Sequence, residues 1–350
     1  MGSITRPSPP LSDACDVLVI GAGCAGIQAA CAAASQGAHV LVLDGLELDG
    51  LQAPMQDAAT WHPWLSDDQS PACQLIGWLP GHTALELLLD ASGAVRGAAG
   101  VESDDETPWR IAASAVVIAS AQALLMAAEA GADLCGMEAG SGGLRICATA
   151  NGGASSVEGL YAAGPAAWSV LAAGAGLPRG TQAHALLSGQ QAGAAAADES
   201  TMRQRPLAAA LEPAGWAGLR GKGHRPANPM ATVAAVQAVR RSLGTSSRPD
   251  DATASEALER LDALWLFICN AAPAARGALC ATRAAACQVA LARWQLRSLL
   301  TRRASEAAHL ARECVVARGV DQVRTSTELK ESLAISSRRS SLPLLSLFAS

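Results

Sequence analysis

Aromatic side chains are scarce in this sequence: 8 Trp, 1 Tyr and 2 Phe among 350 residues. That argues against an extended stacking surface for single-stranded nucleic acid. Charge is thin as well. Charged residues make up 16%, the net charge is −5, and no basic block occurs. The electrostatic footprint of a nucleic-acid binder is therefore missing. No uninterrupted run of about 18 apolar residues is present, so no membrane span is expected. Residues 1–13 are mostly polar and carry no apolar stretch of the kind a secretory leader needs, so a cytoplasmic protein is expected. The ten cysteines, at 15, 24, 31, 73, 135, 147, 269, 280, 287 and 314, form no Cys-x-x-Cys and no zinc-spaced cluster with histidine. They read as small buried hydrophobes in a reducing compartment, and no metal site is expected.

Alanine is abundant, with 78 residues, and hydrophobic residues reach 50%. Such a chain is not largely disordered. Its alanines favour helices that pack closely. The length suits two domains or more. Residues 1–14 read as a disordered lead-in, 15–198 as one α/β domain, and 199–228 as a Pro-, Gly- and Arg-rich linker. Residues 229–318 read as an all-helical domain, and 319–350 as a flexible tail. Within the first domain, residues 16–20 (DVLVI) and 39–43 (HVLVL) have the continuous apolar pattern of buried parallel strands. Residues 48–81 show no clear period and read as irregular. Residues 85–89, 94–101 and 109–118 suggest a three-stranded meander, with a hairpin at 90–93. Helices are expected over 122–132, 181–197, 229–243, 253–270, 276–302 and 304–317, and short strands over 144–147 and 160–163.

The strongest chemical signal is Gly21-Ala22-Gly23-Cys24-Ala25-Gly26, a G-x-G-x-x-G. The hexapeptide alone is weak. Here it follows one buried strand, opens a helix, and is followed by a second strand ending in an acid, Asp44, 18 residues after Gly26. Gly21 permits the tight turn, Gly23 lets a pyrophosphate approach the backbone, and Gly26 lets helix and strand pack closely. The helix N-terminus offers free N–H groups to phosphate. Asp44 can accept from ribose hydroxyls. This unit alone leaves FAD and NAD both open.

Several further segments, in order, resemble the flavoprotein family of succinate dehydrogenase, fumarate reductase and L-aspartate oxidase. Residues 84–100 (ALELLLDASGAVRGAAG) resemble its meander, and 114–120 (SAVVIAS), including Ala119, its return strand. Residues 126–137 (MAAEAGADLCGM) resemble the helix that follows. Residues 159–164 (GLYAAG), with Ala163 and Gly164, resemble its segment beside the isoalloxazine. Residues 181–193 resemble the last helix of its FAD domain. The resemblance implies a Rossmann-like, glutathione-reductase-like α/β fold with a parallel sheet and a meander, then helices. It implies FAD as cofactor, and disfavours an NAD-dependent dehydrogenase.

The sequence departs from that family where the family does its chemistry. Ala121-Gln122 stand in place of two glycines, and Pro165 in place of an acid that contacts the ribityl chain. Glu138 reaches Gly142 within a few residues, where the family inserts a cap domain carrying the proton-donating arginine and a substrate histidine. In the C-terminal part, Arg302, Ser305 and His309 fit a family tract whose other members are lost. The groups left to act on substrate are Arg179, as an anion clamp for a carboxylate, and His184, on the helix facing the flavin region. His62 in WHPW reads as a turn histidine; the resemblance would make it a general base or a flavin-linked histidine. Asp104, Asp105 and Glu106 read as a solvated loop, and Trp294 as a core anchor.

The expectation is an FAD-dependent oxidoreductase moving a hydride between a small carboxylate or amino acid and the flavin. The alternative is a reduced, non-catalytic flavin-binding or scaffold subunit that lacks the cap. A partner subunit or a homo-oligomer fits either reading.

Overall fold

In the computed structural model the described residues are 14–44, 71–136, 144–148, 152–169, 181–203, 210–243, 250–272, 274 and 277–317. The expected strand–helix–strand unit is β1 (Ala14–Ile20), α1 (Cys24–Ser35) and β2 (Val40–Asp44). The two strands are parallel, with Val17 opposite Val40 and Ile20 opposite Leu43. Both faces are covered, so Val17, Leu18, Val19 and Val42 are fully buried. This is why their pattern is continuous rather than alternating.

A third parallel strand, β3 (Ile76–Pro80), continues the sheet beyond β2. It falls in the stretch expected to be irregular. Its sequence, IGWLP, hides the strand signal behind a glycine and a terminal proline. The glycine has a packing reason: a Cβ on Gly77 would sit 2.7 Å from the Leu41 side chain.

The meander is β4 (His82–Leu89), β5 (Val95–Glu102) and β6 (Pro108–Ile118), all antiparallel. Its first turn is set by Asp90, whose carboxylate accepts from the N–H of Ser92 at 2.8 Å and of Ala94 at 3.1 Å. β6 serves two sheet regions. Its first half pairs with β5, and its second half runs parallel to β9 (Leu160–Ala162) on that side; β1 lies along its other edge. The long strand thus ties the meander to the parallel sheet.

The helix after β6 is shorter than expected: a 3₁₀ turn over Ala121–Ala123 leads into α2 (Leu124–Glu129), and Gly131 at φ +92° ends it. A second, small sheet has the order β10 (Ala167–Ser169), β8 (Leu144–Ala148), β7 (Leu134–Gly136). Cys135 of β7 and Cys147 of β8 form a disulfide. This corrects the expectation that every cysteine is a free thiol; the spacing of 12 gave no sign of the pairing, which strand register brings about.

α3 (Gln182–Thr201) packs on α1 with backbones touching. A Cβ on Gly189 would lie 2.2 Å from the Ala25 carbonyl oxygen, and one on Gly193 2.0 Å from that of Ala29. Residues four apart share one helix face, so the glycines meet alanines four apart on the partner. α1 buries only Ala and Gly: Ala25, Gly26, Ala29, Ala30, Ala33 and Ala34.

Residues 199–228, expected as a linker, carry more structure than that. α3 runs on to Thr201, and β11 (Glu212–Pro213) pairs antiparallel with β4 at the sheet edge. The helices α4 (Pro229–Ser242), α5 (Asp251–Asn270) and α6 (Leu279–Ala317) follow. Asn228 and Asp250 cap the first two through their side chains, at 3.0 and 2.9 Å. α6 is a single helix where two were expected. The stretch around Arg302-Arg303 holds no Gly or Pro, and a pair of like charges does not break a helix. Leu261, Trp265, Ile268, Val236, Val289 and Trp294 form the helical core, as expected for Trp294. No described helix is long and apolar enough to cross a membrane.

Candidate functional site

The C-terminal ends of the parallel strands β1, β2, β6 and β9 point the same way, and the turns that leave them define the site. In open α/β sheets this is the edge where ligands bind. Gly21 leaves β1 at φ +109°, and its N–H donates to Leu43 O at 3.1 Å, which locks the loop to β2. The turn closes on itself so tightly that a Cβ on Gly26 would lie 1.8 Å from Gly21 O. Gly23 is the opposite case. A Cβ there would meet no atom of the other described residues within 4 Å. It is exposed and forms the N-cap of α1, and no side chain caps the helix. The first-turn N–H groups of Cys24, Ala25 and Gly26 therefore have no intrahelical acceptor. The helix dipole adds positive potential at this point.

Two other turns close around this loop. Ala119 follows β6, and its N–H donates to Ile20 O at 2.9 Å. Ala163 follows β9, and its N–H donates to Ile118 O at 2.9 Å. Gly164, at φ +56°, presses on α1, where a Cβ would come within 2.5 Å of the Ala25 side chain. Gly21, Ala22, Gly23, Cys24, Ala25, Gly26, Ala119, Ala163 and Gly164 are thus brought together. Asp44, at the end of β2, is half-buried, and its carboxylate makes no hydrogen bond to another described residue. Burial without such a bond pushes its pKa above the usual carboxylate value.

Of the two groups expected to act on substrate, Arg179 lies outside the described residues, as do His62 and the connection 137–143. His184 is 3% exposed in the first turn of α3, where its N–H donates to the capping Thr181 hydroxyl at 3.3 Å. Its carbonyl accepts from Ser188 Oγ at 2.8 Å, and that oxygen accepts from Gly164 N–H at 2.9 Å. His184 is therefore linked to the Gly164 turn through its backbone.

Ser188 and Arg145 were not singled out from the sequence. Arg145 donates to the carbonyl oxygens of Gly164 and Ala167 at 3.3 and 3.4 Å. Between them, the two residues hold both polar groups of Gly164. Ser188 gave no signal, because its partner is a backbone group 24 residues away. Arg145 gave none, because its role depends on the β7–β8 pairing. A surface groove of about 330 Å³ runs along α1 and α3 beside Gln28, Cys31 and Gln190 and includes none of these residues. Among the described residues no group of three or more His, Cys, Asp or Glu is placed to hold a metal.

A family model described as glucose inhibited division protein A matches residues 16–62, which begin with the first strand and its glycine loop. No curated protein matches the chain. Solved structures with a similar fold include Mycobacterium smegmatis Sdh1 in complex with UQ1. It is 14% identical, with 82% of this chain and 87% of that chain covered and a TM-score of 0.59. A variant of FrdA, from the E. coli quinol fumarate reductase, is 12% identical, with 82% and 89% covered and a TM-score of 0.58. The adenylylsulfate reductase of Archaeoglobus fulgidus is 11% identical, with 82% and 88% covered and a TM-score of 0.54. At these identities the likeness is one of fold: the chain has the fold of the flavoprotein subunits of succinate dehydrogenase and fumarate reductase.

Proposed function

We propose that this chain binds FAD and is an FAD-dependent oxidoreductase whose substrate is a small carboxylate or amino acid. The observation that carries the cofactor is the contrast between Gly26 and Gly23. One glycine is packed against its own loop, and the other faces open space at an uncapped helix N-terminus. A pyrophosphate fills that space and accepts from the first-turn N–H groups. Asp44 accepts from the adenosine ribose hydroxyls, donors that no other described residue offers its carboxylate. Ala163 and Gly164 would hold the isoalloxazine end, and the Ser188–Gly164 bond fixes that turn in place. The flavin supplies hydride acceptance at N5. The chain's own residues orient it, and Arg179 binds the substrate carboxylate. His184, 3% exposed, holds the Gly164 turn through its carbonyl and Ser188 rather than presenting itself to solvent.

An absorbance scan of the purified protein, with the released cofactor identified by mass, tests this reading. Flavin bands that are lost in Gly23→Val are expected, because a side chain there occupies the pyrophosphate's approach. A colourless wild type that does not take up added FAD overturns it. A second reading, a non-catalytic flavin-binding subunit acting with a partner, is favoured by the β7–β8 hairpin. Only residues 137–143 join its strands, too few for a domain that closes over substrate. Flavin bands without turnover on any small carboxylate or amino acid would select it.

A further inference from the structure

We propose that Cys135 and Cys147 form a thiol–disulfide exchange site whose state sets how firmly the Gly164 turn is held, and through it the affinity for the cofactor. The coupling to affinity rests on the FAD reading; the exchange itself does not. The two cysteines cross-link β7 to β8, and both are half-buried, within reach of a small thiol. Register places Cys135 directly opposite Arg145. Along β8 the burial alternates, with Leu144, Ile146 and Ala148 inside and Arg145 and Cys147 on the other face. Arg145 therefore shares one face with both sulfur-bearing residues. Its guanidinium donates to Gly164 O and Ala167 O. β8 also pairs with β10, Ile146 opposite Ala167. The strand that carries the disulfide is thus bonded to the turn beside the cofactor loop by a side chain and by its backbone.

The co-reactant is a low-molecular-weight dithiol. One of its thiolates attacks a cysteine sulfur, forms a mixed disulfide and expels the other cysteine as a thiolate. The second thiolate of the reagent then attacks the mixed disulfide and expels the first cysteine. Two electrons and two protons pass to the protein, and the reagent leaves as its cyclic disulfide. Arg145 favours the step, because a neighbouring guanidinium stabilises a thiolate. The same attraction gives the switch its direction. A Cys135 thiolate competes with the Gly164 and Ala167 carbonyls for the guanidinium, and loss of the cross-link frees β7 from β8. Reduction loosens the turn, and oxidation restores it.

The experiment compares apo-protein prepared oxidised and after dithiothreitol. Thiols are counted by alkylation and mass spectrometry, amide hydrogen exchange is followed across residues 160–169, and FAD is then titrated. Two additional thiols, faster exchange in that segment and about a fivefold weaker FAD dissociation constant are expected on reduction. The variant carrying both Cys135→Ser and Cys147→Ser should behave as reduced protein in either buffer. Arg145→Ala should show the faster exchange with the disulfide intact and lose the difference between buffers. An unchanged thiol count overturns the site, and thiols that appear while exchange at 160–169 stays constant overturn the coupling. If exchange responds but FAD binds in neither state, the link to the turn stands, and the coupling to affinity falls with the FAD reading.

Discussion

The carboxylate of Glu129, at the end of α2, and the guanidinium of Arg283, on α6, form an ion pair whose side chains are only 4% and 6% exposed. Glu129 also accepts from the N–H groups of Trp216 and Ala217 at 3.3 and 3.0 Å. Arg283 donates to Leu85 O at 2.9 Å and Ala217 O at 2.8 Å. The pair therefore joins the meander, α2, the segment after β11 and the helical region at one buried point. Charges so placed are tolerated only because each is matched. Removing one partner leaves the other buried and uncompensated, which costs about 3–5 kcal/mol. Glu129→Ala and Arg283→Met should each lower the unfolding free energy by that amount, read as a lower urea midpoint. The double variant should be much less than additive. Additive losses would mean that the two groups do not interact.

The contact between α1 and α3 gives a second test, with an unusual sign. Gly193 lies inside a helix, where alanine ordinarily stabilises by about 1 kcal/mol. Here the new methyl group would meet Ala29 O at 2.0 Å. The helices must separate, and overpacking of this kind costs about 1–3 kcal/mol. Gly193→Ala should therefore lower the melting temperature. A Gly193→Ala protein as stable as the wild type would show that the backbones are not in contact.

Asp44 should make cofactor binding pH-dependent. Burial raises its pKa above the ordinary aspartate value. Between that value and the raised one, the folded apo-protein binds more protons than the unfolded chain. Its stability thus falls as pH rises through this window. Cofactor binding runs the other way. Ribose hydroxyls donate to the ionised carboxylate, so FAD affinity should fall as pH is lowered through the raised pKa. Asp44→Ala should weaken FAD by about 1–3 kcal/mol at neutral pH. It should also abolish the acid-side dependence. Flavin fluorescence titrations at pH 4 to 7 read both effects, and identical profiles for the two proteins would remove Asp44 from the site.

What could be read in advance follows from how local each signal is. The strand–loop–helix around Gly21–Gly26 was legible because its apolar runs and glycine spacing lie within 30 residues, and Asp90 announced its own turn. β3 was not legible, because Gly77 and Pro80 lower its strand propensity and only pairing with β2 stabilises it. Glu106 read as one acid in a solvated loop. In the fold it stands at φ +53° and accepts from the N–H groups of Gly277, Leu279 and Cys280, capping α6 from 171 to 174 residues away. The same holds for Ser188 and Arg145 at Gly164. A side chain whose partner is a distant backbone group leaves no periodic mark in the sequence.

The short β7–β8 connection bears most directly on activity. Cys135 opposes Arg145 and Gly136 opposes Leu144, and the residues between these paired strands, 137–143, are too few to make a cap. A cap excludes water and brings a proton donor to the substrate. Without one there, the substrate face of a bound flavin should be open unless the C-terminal helices or a partner subunit cover it, and two results should follow. Reduced flavin should be reoxidised quickly by dissolved dioxygen, because access is not gated. Turnover with succinate or fumarate should be very low, and any residual activity should depend on Arg179, the remaining cation expected to hold a substrate carboxylate. Steady-state assays with succinate, fumarate and L-aspartate, on wild type and Arg179→Ala, check both, with stopped-flow reoxidation alongside. Robust fumarate reduction that survives Arg179→Ala would mean that a proton donor other than those identified here reaches the flavin.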